Sequence, residues 1–554
     1  SSFVALNLQY IGKNPFNPQI NLDNPVKVCE GKDSFYFISD SSKKISVTDK
    51  KFRLKYEIEA GNSDNCFEYA DDIAQDSDGN IYVYDRIYSA SGSIVKEERI
   101  IKFAPGEKNG EILYQTKSID KSGNAVLKIR GLCIQDGTVY FSEIKNDGIY
   151  IYKLENNRAQ ECRFIKKENA VEIVEDIALN SKMETAVLFK NGDISVYNNT
   201  EENYVYKARE NDTADYVSLV TEITYDDKDR LYMCDTGLRE IYRMSSGYTG
   251  KETVISRGKF ASAKSDNFSE QPLYTGLSVY GTNVSVLVAE YRYEQETDEE
   301  IYTYNIAQVS DDGNTQFCID RIRASVFQCI WDFAVYLALL ILIVIAVCFI
   351  IKLVRFLRNI ELEKSVKIQL IMVITALGVT MGVSYVIFDS CNSRFVDEVA
   401  DKLLNVSYLI GESVDKQIIS EIKSPDDYYT DDYKKLDESV NKVIKSKANK
   451  KNEMYCVIYK VQNDVVCEVY RDDMAHGVMY PMAGRYKDSI EEHIAAENDY
   501  DISYEFALSE GTYMYALIPV YDEDNNAVAF IETGMEYANF NKDNNALYIK
   551  VLLF

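Results

Sequence analysis

The segment Phe333–Ile351 reads FAVYLALLILIVIAVCFII, and Ile368–Phe388 reads IQLIMVITALGVTMGVSYVIF. Neither segment carries a charge, and a helix of about 20 residues crosses the roughly 30 Å hydrocarbon layer of a bilayer. Two buried helices of a soluble core would normally show a polar face, which both segments lack. We therefore predict a multidomain membrane protein with two transmembrane helices, at 330–356 and 368–388.

The connector between the two apolar segments is basic. Its charged residues are Lys352, Arg355, Arg358, Lys364 and Lys367 against Glu361 and Glu363. Because basic connectors stay on the cytoplasmic side, we place the loop 357–367 in the cytoplasm and both flanking parts outside. The expected location is a plasma membrane, which the chain crosses more than once.

Composition narrows the possible partners and cofactors. The formal net charge of -27 argues against nucleic acid and against electrostatic docking on anionic lipid. An acidic outer surface either attracts cationic ligands or simply keeps the protein soluble. The 11 cysteines are scattered without a CxxC pair or a nearby histidine, so we predict no metal site, no cofactor and no dense disulfide framework.

Both ends of the chain suggest further sequence. Ser1-Ser2-Phe3 follows no signal segment, although the predicted topology requires export of the N-terminal part, so we expect that a leader or first membrane helix preceded it. At the other end, 546–554 reads ALYIKVLLF and is expected to begin a third transmembrane helix.

The N-terminal part is repetitive. From Val26 to Ile322, short β-rich runs alternate with turns rich in Gly, Asn and Asp. One strand type recurs in Ser34–Asp40, Asn80–Asp85, Thr138–Glu143, Thr185–Phe189, Arg230–Asp235 and Asn283–Glu290. A spacing of roughly 45 to 58 residues with several strands per repeat is typical of a β-propeller. We predict an all-β propeller of about six blades over residues 1–325, with five or seven as alternatives because the role of Phe3–Tyr10 stays open.

The stretch Asp76–Asp85, DSDGNIYVYD, resembles the NHL-type repeats of bacterial extracellular propellers. Its beginning is also rich in oxygen ligands, but it lacks the later carboxylates of a calcium loop, so we interpret it as a hairpin turn. Propellers include enzymes, adhesins and scaffolds. This part contains no histidine, no GxSxG and no phosphate-binding glycine loop, so no catalytic motif is predicted.

The C-terminal part begins with a long amphipathic pattern. Apolar residues three or four apart predict a helix from Phe395 to Ile422 that continues the second transmembrane helix; they are Phe395, Val399, Leu403, Val406, Ile410, Val414 and Ile418. We further predict a helix at 432–447, strands at Met454–Tyr459 and Val465–Tyr470, a helix at 484–496, and strands at 502–508, 512–521 and 527–534. The expected hairpin register pairs Cys456 with Val469 and Cys467 with Ile458, which makes both cysteines core residues rather than a disulfide.

This order of elements resembles the Cache domain of bacterial transmembrane receptors, a PAS-like extracytoplasmic sensor with an α+β fold. The best match is Tyr513–Glu532, YMYALIPVYDEDNNAVAFIE, which is similar to the closing hairpin of that family. We predict such a domain over 389–545. The resemblance implies a homodimer and a small molecule bound between the sheet and the loops above it. The candidate ligand-binding residues are Tyr480, Arg485, Tyr486, Tyr513, Tyr515 and Asp522.

Together these patterns predict a sensor that binds an extracellular ligand and signals to a cytoplasmic module encoded beyond Phe554. Any enzymatic activity would then reside in that module. An alternative is a surface binding or assembly protein whose propeller holds a polysaccharide or protein partner. A third hypothesis is a surface hydrolase that uses propeller carboxylates.

Overall fold

The computed structural model describes residues 19–536 except 23–24, 40–41, 62–64, 89–94, 119–125, 136, 262–270, 295–298, 360–363, 447–453, 464, 473–476, 483–500, 506–512 and 523–526. The chain forms two compact units. Among the described residues, one unit contains 19–21 with Arg321–Val399, and the other contains Leu22–Asp320 together with 400–536.

Strand β1 (Gln19–Asn21) pairs with the last strand of the N-terminal part, Arg321–Arg323, and the strands between them form six antiparallel sheets of four. Blade 1 contains β2 (Lys27–Glu30), β3 (Phe35–Ser39), β4 (Lys44–Thr48) and β5 (Leu54–Glu59). Blade 2 contains β6 (Tyr69–Gln75), β7 (Ile81–Tyr88), β8 (Val95–Phe103) and β9 (Glu111–Lys117). Blade 3 contains β10 (Ile129–Gln135), β11 (Thr138–Lys145), β12 (Gly148–Glu155) and β13 (Arg158–Lys166).

Blade 4 contains β14 (Val174–Leu179), β15 (Thr185–Phe189), β16 (Ile194–Asn198) and β17 (Glu201–Tyr206). Blade 5 contains β18 (Val220–Tyr225), β19 (Leu231–Asp235), β20 (Glu240–Met244) and β21 (Lys251–Ile255). Blade 6 contains β22 (Leu273–Tyr280), β23 (Asn283–Glu294), β24 (Glu299–Ser310) and β25 (Thr315–Ile319). Strand β26 is Arg321–Arg323. The first strand of each blade contacts the first strand of the next, and β2 contacts β22, so the ring is closed.

Apolar clusters between adjacent blades hold the ring together. One cluster contains Ile38 and Val83 of blades 1 and 2, and equivalent clusters follow around the ring. Phe35 and Phe317 join blades 1 and 6 with ring centroids 5.8 Å apart. Each blade therefore buries both faces against its neighbours, as the repeat predicted, and the propeller of six blades is confirmed. The segment Phe3–Tyr10 lies outside the described residues.

The turn at Asp76 is a hairpin turn, as predicted. One Asp76 carboxylate oxygen accepts hydrogen bonds from the backbone N–H groups of Asp78, at 3.0 Å, and Asn80, at 2.9 Å. The side chain therefore closes its own turn.

Two long helices follow the propeller: α1 (Val326–Asn359) and α2 (Lys364–Ser413). Among the described residues, one helical stretch is long and apolar enough to cross a membrane, Cys329–Lys352 in α1. The second predicted span, Ile368–Phe388, lies within α2, and its crossing of a membrane stays a prediction. The predicted loop 357–367 is shorter than expected, because α1 continues to Asn359 and α2 already begins at Lys364.

Helix α2 ends before the predicted boundary at Ile422. It stops at Ser413, and α3 (Lys416–Glu421) begins after Asp415, whose carboxylate accepts the Gln417 N–H at 2.9 Å. The prediction of one helix to Ile422 is therefore wrong, since an N-cap interrupts it. A capped 3-10 segment, Pro425–Tyr429, and helix α4 (Asp431–Ile444) follow.

The C-terminal sheet is antiparallel and has the order β29-β28-β27-β32-β31-β30. Its strands are β27 (Tyr455–Gln462), β28 (Val465–Arg471), β29 (Tyr480–Pro481), β30 (Asp501–Glu505), β31 (Tyr513–Tyr521) and β32 (Ala527–Glu536). Both predicted strands of the first hairpin exist, but the predicted register is wrong. Cys467 pairs with Lys460, because Gln462 pairs with Val465 and a bulge follows at Ile458. The predicted helix 484–496 lies outside the described residues.

Candidate functional site

The two faces of the C-terminal sheet have different chemistry. Side chains alternate along a strand, so Tyr455, Val457 and Tyr459 share one face, which we call the cluster face. Cys456 and Ile458 lie on the other, which we call the helix face. The cluster face carries an apolar patch that includes Val457, Tyr459 and residues of β28, β31 and β32.

A buried carboxylate lies in the cluster face. Glu532 is 5% exposed, and its two oxygens accept hydrogen bonds from the hydroxyls of Tyr455, at 2.9 Å, and Tyr459, at 3.2 Å. Burial raises the pKa of Glu532 although both tyrosines stabilise the carboxylate. Gly534 leaves room for this arrangement, because a Cβ atom there would stand 2.4 Å or less from atoms of the Tyr455 side chain.

A second carboxylate and a guanidinium stand on the same face. Glu468 is 2% exposed and pairs in the sheet with Tyr459. It forms an ion pair with Arg471 at 3.0 Å. Arg471 lowers and Glu468 raises the pKa of Glu532, so the three side chains form one electrostatic group. We call Glu468, Arg471, Glu532, Tyr455 and Tyr459 together the polar cluster.

The helix face packs on α2. Thr533, next to Glu532, donates its hydroxyl to the Leu403 carbonyl at 3.0 Å and lies 2.6 Å from the Ser407 hydroxyl. Both Thr533 and Ser407 are fully buried. The apolar stripe predicted on this helix is confirmed at Val399, Leu403, Val406 and Ile410, all buried.

The predicted ligand residues are not all brought together. Tyr480 lies in β29 opposite Glu468, beside the polar cluster, and burial followed by the charge of Glu468 raises its pKa. Tyr515 lies in β31 opposite Gly534, with β28, β27 and β32 between it and β29. At about 4.8 Å per strand, the strands of Tyr480 and Tyr515 lie roughly 19 Å apart along the sheet.

Of the other predicted residues, Tyr513 lies at the start of β31 and Asp522 directly follows that strand. Arg485 and Tyr486 lie outside the described residues. A ligand-binding role for these residues stays a prediction.

Glu468 and Glu532 were not predicted as site residues, although the sequence carries a signal for both. Each is a single acidic residue within an apolar strand, in VVCEVY and AVAFIET. A charged residue is rarely fully buried unless it is paired, so an isolated Glu in an apolar strand marks a position with a special partner.

The propeller axis carries a second charged group. The Lys27 ammonium of blade 1 reaches across the axis to Glu222 of blade 5 and lies 3.4 Å from Asp72 of blade 2. Burial lowers the pKa of Lys27, but Asp72, Glu222 and Asp176 outweigh it and raise the pKa. Among the described residues no group of three or more His, Cys, Asp or Glu side chains is arranged to hold a metal ion. The Lys27 ammonium is a counter-charge for these axial acids, since it lies beside both Asp72 and Glu222.

These acids also link neighbouring blades. Asp176 accepts the backbone N–H of Ile223 in the next blade at 3.0 Å, and Glu222 accepts that of Leu277 at 2.7 Å. Burial raises the pKa of Asp176 to about 7. The sequence signal was the repeated acid in Asp72-Ile-Ala, Asp176-Ile-Ala and Glu222-Ile-Thr.

The fold and these two charged groups define the class: a six-bladed β-propeller followed by an apolar helix and an α+β domain with a buried polar cluster. No protein-family model matches the chain, and no curated protein matches it.

Among solved structures, virginiamycin B lyase from Staphylococcus aureus is similar, with 12% identity over 55% of this chain and 96% of that one, and a TM-score of 0.32. A protein of unknown function from Bacteroides caccae has 10% identity over 52% and 94%, with a TM-score of 0.35. The calcium-binding protein regucalcin from Agrobacterium tumefaciens has 8% identity over 48% and 83%, with a TM-score of 0.32. The propeller assignment itself stands on the six sheets of this chain.

Proposed function

We propose that this protein is a membrane-anchored sensor of the bacterial cell surface. In this proposal the C-terminal domain is Cache-like, binds a small extracellular molecule on the cluster face, and signals through α2. The single observation that carries the proposal is the adjacency of Glu532 and Thr533. Glu532 belongs to the polar cluster, and Thr533 is bonded to α2.

The surface of α2 supports a second membrane span. Its N-terminal half exposes large apolar side chains that a water-exposed helix would not favour; they include Ile368, Met372, Val379, Val383 and Val386, each at least 52% exposed. The basic residues between α1 and α2 support a cytoplasmic connector. Both the propeller and the C-terminal domain are then extracytoplasmic.

The coupling step needs no covalent chemistry. A ligand that binds Glu532 or Arg471 changes the hydrogen bonds of the tyrosines and thereby the position of β32. Because Thr533 is the next residue in that strand, the shift acts directly on Leu403 and Ser407 of α2. A ligand shifts the helix only by its difference in affinity for the two positions.

A thermal-shift screen of the full chain in detergent micelles tests the proposal. The probes are free amino acids, amines and short carboxylic acids at millimolar concentration. A ligand at about 100 times its Kd stabilises the bound state by about 2.7 kcal/mol, which is readily visible as a rise in Tm. We expect at least one probe to raise Tm, and we expect Glu532→Gln to abolish that rise.

The matched control is Glu240→Gln, which changes an acid on blade 5 of the propeller. It should leave the ligand-induced rise in Tm intact. The sensing proposal fails if no probe shifts Tm, or if a shift persists unchanged in Glu532→Gln.

A further inference from the structure

A short segment after α3 is bonded to blade 4 of the propeller. We call Ser424–Thr430 the docking turn. The Asn191 side-chain amide donates to the Asp426 carboxylate at 2.7 Å, and the Tyr428 hydroxyl donates to the Glu172 carbonyl at 2.9 Å. Arg209 approaches the Ser424 hydroxyl at 3.5 Å.

The blade 4 turn under this segment is buried. Lys190 is 4% exposed and Asn191 7% exposed, although turns between blade strands normally face water. The Lys190 ammonium stands 5.7 Å from the centre of the Tyr428 ring. The docking turn therefore covers this part of the blade.

Two further contacts come from the sheet of the C-terminal domain. The Asn463 side chain, in the turn between β27 and β28, donates to the Asp215 carbonyl at 3.0 Å. Gly477 lies against blade 4 so closely that a Cβ atom there would stand 2.5 Å from the Lys190 carbonyl oxygen. Gly477 precedes Tyr480, which pairs with Glu468 of the polar cluster.

The docking turn is also fastened to the helices. Its Ser424 and Asp427 form a capping box that holds the turn rigid directly after α3. The Lys460 ammonium binds two carbonyls at the C-terminal end of α3, at 2.7 Å to Ser420 and at 2.9 Å to Ile422, the residue that follows the helix. A cation at the C-terminal end of a helix stabilises the helix dipole. The path from blade 4 to the end of α2 thus runs through α3 and its contact with β27.

We propose that the propeller is an input domain for α2: blade 4 holds the docking turn, so that a change at the propeller alters α3 and the C-terminal end of α2. This inference rests on the proposed function, in which α2 is the signalling helix. A partner bound to the propeller and a ligand bound at the polar cluster would then act on the same helix. The contacts are mainly hydrogen bonds, which suits an interface that rearranges.

Hydrogen–deuterium exchange of the full chain in detergent micelles tests the coupling without any ligand. The variants are Gly477→Ala, Asp426→Ala with Tyr428→Phe, and all three changes together. Each changed residue belongs to the C-terminal part of this interface, so the sequence of the propeller is unchanged. The controls are Gly247→Ala, where the nearest atom is 4.0 Å from the added Cβ, and Asp431→Ala, which removes an exposed carboxylate next to the docking turn.

We expect exchange to rise roughly fivefold, the factor for one lost hydrogen bond, in the blade 4 turn 189–193 and also in 400–421. The controls should change neither region. If only 189–193 and 424–430 exchange faster, the contact between blade 4 and the docking turn does not affect α2, and the proposal is wrong. Unchanged exchange at 189–193 in the triple variant also overturns the proposal, because the removed contacts then do not attach the docking turn to blade 4.

The two proposals fail separately. Exchange needs no ligand, so unchanged exchange in 400–421 leaves sensing at the polar cluster intact. Conversely, an empty ligand screen leaves the coupling between blade 4 and α2 intact.

Discussion

Glu532 and Thr533 are consecutive residues of β32 that serve opposite faces of one sheet. Glu532 accepts hydrogen bonds from Tyr455 and Tyr459, whereas Thr533 is bonded to Leu403 and Ser407 of α2. A displacement of one is therefore a displacement of the other. No loop or turn separates the two residues, which lie in the same strand.

The bond between β32 and α2 is the first contact to remove. Thr533→Val keeps the side-chain shape and deletes the hydroxyl, which leaves the buried Ser407 hydroxyl without this partner. We expect a loss of about 1–3 kcal/mol in the free energy of unfolding of the C-terminal domain. Urea unfolding of the full chain in micelles measures it. Thr253→Val, on an exposed position of β21, is the control and should change the free energy by less than about 0.5 kcal/mol.

The repeat and the apolar segments made much of the fold predictable. The spacing of sequence runs such as Asn80–Asp85, Thr138–Glu143 and Arg230–Asp235 predicted the blades, because period and alternation are local properties. The end of α2 at Ser413 was not predicted, since the apolar stripe continues through Val414 while the Asp415 cap breaks the helix.

The candidate site was harder to predict than the fold. Which strands meet Tyr480 depends on sheet order, and that order separates it from Tyr515 by three strands. The partners of Glu532 are 73 and 77 residues away in sequence, in β27. A local sequence pattern does not predict a contact between residues so far apart in the chain.

A buried ion pair in blade 2 should matter far more than a surface pair. Asp85 is fully buried, and Arg99, 5% exposed, donates its Nε to it at 2.9 Å. Arg99→Met leaves the Asp85 carboxylate without its counter-charge, and we expect a loss of about 3–5 kcal/mol in the free energy of unfolding. Thermal or urea unfolding of the propeller signal checks this.

The control is the pair of Arg53 with Asp49, in which the Arg53 side chain is 60% exposed. Arg53→Met should cost only about 0–1 kcal/mol. Adding Asp85→Asn to Arg99→Met should recover part of the loss, since no unpaired charge then remains. Equal losses in Arg99→Met and Arg53→Met would contradict the argument.

A glycine between blades 3 and 4 gives a test of blade packing. Gly131 has φ +61°, and a Cβ atom there would stand 2.0 Å from the Ile177 carbonyl oxygen of blade 4. Gly106 has φ +81° but no atom within 4 Å of its Cβ position. Gly106→Ala should therefore show only the backbone cost of about 1 kcal/mol.

Gly131→Ala adds a clash with the neighbouring backbone to that cost. We expect a lower Tm than in Gly106→Ala and faster amide exchange in β10 and β14. Similar Tm values for the two variants would mean that blades 3 and 4 are not packed as closely as the contact with Ile177 requires.

The axial acid Asp176 should make propeller stability depend on pH. Its pKa is about 7 in the folded protein, against 3.8 for the ordinary group, because burial disfavours the carboxylate. Between these values the folded state binds the proton and the unfolded state does not. The free energy of unfolding therefore falls as pH rises from about 4 to 7, by about 4 kcal/mol at ~1.4 kcal/mol per unit of pKa.

Asp176→Asn removes the titrating group and retains an oxygen that accepts the Ile223 N–H. Its free energy of unfolding should fall less between pH 4 and 7 than that of the wild type, and Tm measured across this range checks the difference. The charge of Lys27 works in the other direction, since it lowers the pKa of Asp176. Lys27→Met should therefore raise that pKa further and extend the decline in stability above pH 7. A wild-type protein whose stability rises steadily from pH 4 to 7, with the same slope in Asp176→Asn, would contradict the buried axial acid.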